Sequence, residues 1–340
     1  MSIGPNGENL ILLISQQRAG STLLQRILAG HPDVHTTAET WLMLHPIYAL
    51  REEGHQAEYN ARLAFTALQD WLGTLEGGEA HYIEALRRQA VYLYDTACQQ
   101  AGKARFLDKT PRYDFVIPEL ARIFPAAHFV ILLRNPLAVL ASILDTWVKG
   151  HWVLLPRYRS DLLDAPRRLV AGIELLGARA HVLHYEHLVT GPEAQVEALC
   201  RYLDLDFFPS MLEYGRQEPH PGHMGDPTGV HQHSRPTTAS LERWLELGRE
   251  QQTRHFAAGY LDSLGGDLLA AMGYDYDELE RKLAAVPCAG GRVELPWQQV
   301  VEPTPAFRRR LYYVELALLE HRRLAHALGK WRKSRKRRRR

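Results

Sequence analysis

Two unbroken apolar runs rich in strand formers, each followed at once by a polar turn and a helix pattern, predict an α/β protein built on a central parallel sheet. The first run is Leu10-Ile11-Leu12-Leu13-Ile14, which leads through a glycine-containing turn into Leu23, Leu24, Ile27 and Leu28 at helical spacing. The second is Phe129-Val130-Ile131-Leu132-Leu133, followed by Asn135 as a cap and Pro136 in a first helical turn, then by Leu137, Leu140, Ala141 and Leu144. Strands that are apolar on both sides need cover on both faces, so helices are expected above and below the sheet.

The other elements follow in order. Shorter strands are expected at Val34-His35-Thr36, Arg105-Phe106-Leu107 and His181 to Tyr185. Glu58 to Leu75 and Tyr82 to Ala101 show helical spacing on either side of Gly77-Gly78, and read as a helical insertion over residues 50–102. Beyond Tyr185 come a helix from Pro192 to Leu203, then a loop rich in Gly, Pro and His from Gln217 to Ser234, long enough to suggest a function. Helices around Trp244, from Phe256 to Met272 and from Tyr276 to Leu283 complete a domain of residues 1–286. A linker over 287–305 precedes a C-terminal helical extension, residues 306–340, in which Leu311, Val314, Leu318, Ala325 and Leu328 mark an amphipathic helix before a basic tail.

The chain has 340 residues, 46% hydrophobic and 24% charged, enough to bury a full core in one large domain. It contains no apolar run of about 18 residues and no basic, apolar leader, so a cytoplasmic protein without a transmembrane segment is expected. Cys98, Cys200 and Cys288 lie too far apart for a zinc spacing or a paired framework and read as reduced thiols. The formal charge of +2 is uneven. Lys330 to Arg340 holds nine of the 41 basic residues, leaving 32 against 39 acidic residues elsewhere. Contact with an anionic surface is therefore expected of the tail, and no specific nucleic-acid partner is implied.

The turn after the first strand, Ser15 to Thr22, is where a sheet of this kind directs backbone N–H groups and a helix N-terminus at one spot, an anion site. Gly20 permits the tight turn, Ser21 and Thr22 add hydroxyls, and Arg18 adds a planar fork of donors suited to phosphate or sulfate. The loop is P-loop-like, yet the lysine that a Walker A sequence needs beside its last hydroxyl is absent.

Gln17-Arg18-Ala19-Gly20-Ser21-Thr22 and the helix after it resemble the 5′-phosphosulfate loop of sulfotransferases that use 3′-phosphoadenosine 5′-phosphosulfate (PAPS), nearest the bacterial and tyrosylprotein branch. Gln17 stands where that family usually has proline, and Ala19 where it usually has serine. The resemblance covers roughly residues 9–285 and implies PAPS as donor, 3′,5′-ADP (PAP) as product, a hydroxyl-bearing acceptor and no metal. It assigns Arg18, Ala19, Gly20, Ser21 and Thr22 to the donor loop, and Arg134 and Ser142 to the 3′-phosphate. Tyr185, in Tyr185-Glu186-His187-Leu188, is implied near the nucleotide, and Arg235 near the donor phosphates. Lys109, in Asp108-Lys109-Thr110-Pro111, is implied against the transferring group, and Glu39 is the candidate base, with Trp41 expected as an apolar wall beside it; the alternative is that Glu39 caps a helix starting near Thr40. The small-molecule branch of the family uses a histidine instead, which keeps His31, His45 and His151 as rivals. The pair His231 and His233 lacks companion ligands for a metal.

Two other function classes compete. A nucleotide kinase would share the strand, loop and helix, with Asp108 as its magnesium-binding aspartate. A basic-tailed binding module would act through Lys330 to Arg340 and the arginines of the last helix.

Overall fold

The computed structural model describes residues 2–216 and 234–302. The expected loop from Gln217 to Ser234, with His231 and His233, lies outside them except for Ser234, as do the C-terminal helix and the basic tail.

Five strands form one sheet: β1 (Leu10–Ser15), β2 (Val34–Thr36), β3 (Arg105–Lys109), β4 (His128–Leu133) and β5 (Ala180–His184). Their order is β2-β3-β1-β4-β5, and every neighbouring pair is parallel. This is the predicted α/β architecture, and it explains the apolar runs. All six β1 residues are buried because both sides of the strand are covered.

The helices are α1 (Ser21–Ala29), α2 (Leu44–Tyr48), α3 (Ala61–Leu72), α4 (Glu79–Ala101), α5 (Ile117–Ile123), α6 (Pro136–Ile143) and α7 (Ala165–Leu176). After β5 follow α8 (Tyr185–Thr190), α9 (Pro192–Tyr202), α10 (Gln251–Leu264), α11 (Gly266–Ala271), α12 (Tyr276–Ala284) and α13 (Gln298–Val301). Side chains alternate across β1. Leu10, Leu12 and Ile14 pack with α4, α5 and α7, whereas Ile11 and Leu13 pack with α1, α8 and α9. A third cluster joins α6 and the residues after it to α10 and α12, and receives Trp297 and Val300 from the segment after Cys288. Within the span of the predicted helical insertion, α4 lies on the sheet through Ile83, Leu86, Ala90 and Tyr94, whereas α3 buries only Leu72.

Three local expectations shift. The helix expected from Phe256 to Met272 breaks at Gly265, whose φ of +78° takes it out of the helical region. The helix expected near Thr40 begins at Leu44, because Trp41 turns the chain with φ +52°. Tyr185 does not end the last strand but opens α8. Among the described residues, no helix is long and apolar enough to cross a membrane, and no group of three or more His, Cys, Asp or Glu could hold a metal. The three cysteines are unpaired, with Cys98 and Cys200 buried.

Candidate active site

All five strands point the same way, so the segments after β1, β2, β3 and β4 emerge along one carboxyl-terminal edge. There the chain leaves β1 at Ser15 and turns through Arg18 (φ +67°) and Gly20 (φ +98°) into α1. Two left-handed residues in three make a compact concavity of backbone amides. The N-terminus of α1 has no side-chain cap and no acid in its first turn, so its amides and positive dipole end remain suited to an anion. Gly20 is required twice over: its φ strains any other residue, and a Cβ there would sit 2.5 Å from Cδ2 of Tyr185. Ala19 is fully buried and Ser21 nearly so, with Thr22 half-buried beside them.

The second motif meets the first. Asn135 accepts from the Leu137 amide, capping α6 as expected, and Pro136 occupies the first turn. That geometry brings Arg134 and Ser142 to the loop: Arg134 Nη1 donates to the Arg18 carbonyl at 2.9 Å, and Arg18 Nε donates to Ser142 Oγ at 3.0 Å. The Arg134 guanidinium lies 4.1 Å above the Tyr185 ring, and its Nε is a buried donor with no partner. An orphaned buried guanidinium N–H beside an uncapped helix N-terminus fits a polyanionic ligand such as a nucleotide phosphate. Tyr185 is held in turn by a 2.7 Å hydrogen bond between its hydroxyl and Ser240 Oγ.

Lys109 ends β3 beside Leu13 of β1, and is 2% exposed. Its Nζ donates to Glu39 Oε1 at 2.8 Å, and Trp41 Nε1 donates to Glu39 Oε2 at 3.0 Å. Trp41 is therefore not the apolar wall expected from the sequence but a hydrogen-bond donor to the acid. Asp108, the rival magnesium ligand, is fully buried and accepts from four hydroxyls: Tyr94 at 2.6 Å, Thr40 at 2.7 Å, Thr110 at 2.8 Å and Tyr113 at 2.9 Å. Burial pushes this carboxyl up and the four hydroxyls pull it down. Both of its oxygens are engaged by protein hydroxyls.

The Arg235 side chain is exposed, and its carbonyl accepts from the Tyr214 hydroxyl at 3.0 Å. Of the histidine rivals, His31 is buried at the amino-terminal edge of β2, opposite the loop, and Nδ1 accepts from the Asp33 amide. His45 and His151 are exposed.

Several neighbours carry no sequence signal of their own. The Gln17 amide oxygen accepts from Arg112 Nε at 3.0 Å and Nη2 at 3.2 Å, and Arg112 Nη1 pairs with Asp161 at 2.7 Å. The loop is thereby strapped to residues 111–116 and 160–164 at the position where the resembled family has proline. Trp147 lies 5.5 Å under the Arg18 guanidinium and stacks on Tyr158 at 5.0 Å. Glu186 accepts from the Asn135 amide at 2.9 Å and the Tyr274 hydroxyl at 2.8 Å, tying α8 to the turn after β4. In the sequence Asp108 stands out as an aspartate at a strand end, the place of a kinase's magnesium ligand.

The chain is similar to proteins already known. A family profile described as "Sulfotransferase family" matches residues 11–209. The nodulation protein NoeE of Sinorhizobium fredii is 26% identical over 325 residues, covering 88% of this chain and 74% of NoeE. Protein-tyrosine sulfotransferase 1 of Danio rerio is 26% identical over 210 residues, 60% of this chain and 56% of its own length. Among solved structures, the sulfotransferase domain of the Synechococcus PCC 7002 olefin synthase matches with TM-score 0.48 and 24% identity, over 69% of this chain and 86% of that one. A match that begins in β1, runs past the loop, Lys109, Arg134 and Tyr185, and takes in more than half of the chain places this protein in the sulfotransferase family.

Proposed function

We propose that the protein transfers a sulfuryl group from PAPS to an acceptor hydroxyl. The observation that carries this reading is the mutual contact of Arg18, Ser142 and Arg134 at the uncapped end of α1, with the Lys109 and Glu39 pair on the same sheet edge. The two halves divide the work. Arg134, through its unpartnered Nε, and Ser142 suit the 3′-phosphate, while Arg18 and the amides of residues 20–22 suit the 5′-phosphosulfate. Tyr185, stacked on Arg134, supplies an aromatic surface for the nucleotide.

In the reaction the acceptor oxygen bonds to sulfur, the bond from sulfur to the bridging phosphate oxygen breaks, and PAP leaves with the electron pair. Glu39 takes the acceptor proton. Lys109 has three N–H donors, so it can keep Glu39 and still reach an oxygen of the transferring group. Cations fixed beforehand where negative charge develops are worth about 100- to 1,000-fold each, and a positioned base about 100- to 10,000-fold. Tyrosine hydroxyls, the groups named in the protein-tyrosine sulfotransferase relatives, are one acceptor class to screen.

A thermal-shift comparison tests the reading. Stabilisation by 3′,5′-ADP without magnesium supports it, whereas stabilisation by ATP with magnesium alone replaces it with a kinase. An acceptor screen with labelled PAPS then identifies the substrate.

A further inference from the structure

The segment that carries Glu39 has little regular structure of its own: β2 ends at Thr36, and α2 begins only at Leu44. A carboxylate on such a stretch would wander unless the residues on either side were held. Both sides are held, by buried groups that the proposed chemistry does not use.

On the near side stands Gln25, from α1, 2% exposed. Its Nε2 donates to Thr36 Oγ1 at 2.8 Å and to the Thr37 carbonyl at 2.7 Å, and the Thr36 hydroxyl donates to the Leu107 carbonyl at 2.7 Å. The chain entering Glu39 is thus fastened to the donor-loop helix and to β3 together. On the far side stands Asp108. It accepts directly from the Thr40 hydroxyl, and from Tyr113, whose own hydroxyl oxygen accepts from the Met43 amide at 3.2 Å. Thr40 Oγ1 also accepts from the Leu42 amide at 3.2 Å, closing the turn around Trp41. Burial, with the Asp108 charge second, pushes both the Tyr94 and Tyr113 phenols up, so each stays protonated as a donor.

We infer that Asp108 and Gln25 are positioning residues that clamp the Thr37 to Thr40 segment at both ends and hold the Glu39 carboxylate on Lys109. The inference rests on the proposed function. Its physical logic is that Asp108 and Lys109 are consecutive on β3, so one rigid strand fixes both the cation and the anchor of its partner acid. Gln25 adds a register between that pair and α1, whose N-terminus would carry the donor. A base misplaced by about 1 Å forfeits much of its rate effect, so the clamp acts on turnover more than on donor affinity.

The test uses Thr40→Val, which keeps the shape and removes the hydroxyl, with Thr40→Ser as the conservative rescue. Turnover of labelled PAPS with a simple phenol as acceptor probe and calorimetric binding of PAP are measured on the full chain. Expected for Thr40→Val is a kcat lower by about 10-fold or more, with PAP affinity within about twofold, and for Thr40→Ser a kcat within about threefold of the parent. Unchanged kcat in Thr40→Val, or parallel losses of kcat and PAP affinity, would overturn the clamp. If the parent protein neither binds PAP nor turns over PAPS, the sulfotransferase reading is what fails. The clamp is then judged by the crystal structure of Thr40→Val: a Glu39 to Lys109 contact still in place overturns it, and a separated pair supports it.

Discussion

The side chain of Arg134 holds the main chain of Arg18, and the side chain of Arg18 holds Ser142, so the turns after β1 and β4 lock each other. On the proposed function Arg134 has two tasks: shaping the loop and offering its buried Nε to a phosphate.

These tasks separate experimentally. Arg134→Lys keeps the charge and loses the fork. Affinity for 3′,5′-ADP is expected to fall about 100-fold and that for 5′-AMP less than about 5-fold, measured by calorimetry. Equal losses for both ligands would leave Arg134 as a loop brace only.

Glu39→Gln keeps the acceptor geometry for Trp41 and removes the basic oxygen. The expected result is a kcat about 100- to 10,000-fold lower with PAP affinity within about twofold. Parallel falls in kcat and PAP affinity would make the residue a bridge between Lys109 and Trp41 instead of a base.

Gly20→Ala places a methyl against Tyr185 and forces a left-handed residue to carry a Cβ. A loss of about 2 kcal/mol in denaturant unfolding is expected, together with weaker PAP binding. Adding Tyr185→Ala should recover only part of the stability, since it clears the space and leaves the φ penalty.

Asp114 gives a pH signature. Burial pushes its carboxyl from 3.8 up to about 6, against the pull of Arg168, 2.6 Å away. With the folded value above the unfolded one, the folded state holds this proton more tightly. The stabilising contribution is present below about pH 4 and is lost as pH rises through about 6. Asp114→Asn mimics the protonated form, so its stability relative to the parent should rise between pH 4 and pH 7.5 by up to about 3 kcal/mol. Urea unfolding at the two pH values checks it, and a difference that stays constant across them refutes it.

Much of the fold is legible in order and period. Leu10 to Ile14 and Phe129 to Leu133 announce buried strands because sheet burial on both faces leaves no room for polar alternation, and Asn135-Pro136 announces the helix after β4 through a cap and a fixed φ. The proposed donor loop is legible for a similar local reason, since its residues are contiguous. The break at Gly265 and the turn at Trp41 were not, because neither residue type by itself fixes the positive φ that each adopts.

By itself, then, the sequence determined the parallel α/β frame, the anion loop from Arg18 to Thr22 and the residue types able to serve it, because local periodicity, capping and turn chemistry act over a few neighbours. Only the tertiary structure decided that Lys109 meets Glu39 and that Trp41 donates to that acid. It also decided that Asp108 gathers four hydroxyls from three separate segments, and that the side chain of Arg235 stays out in solvent. Those outcomes join residues up to 70 positions apart, as with Lys109 and Glu39. They follow from strand order and from the need to satisfy buried charge, which no local pattern encodes.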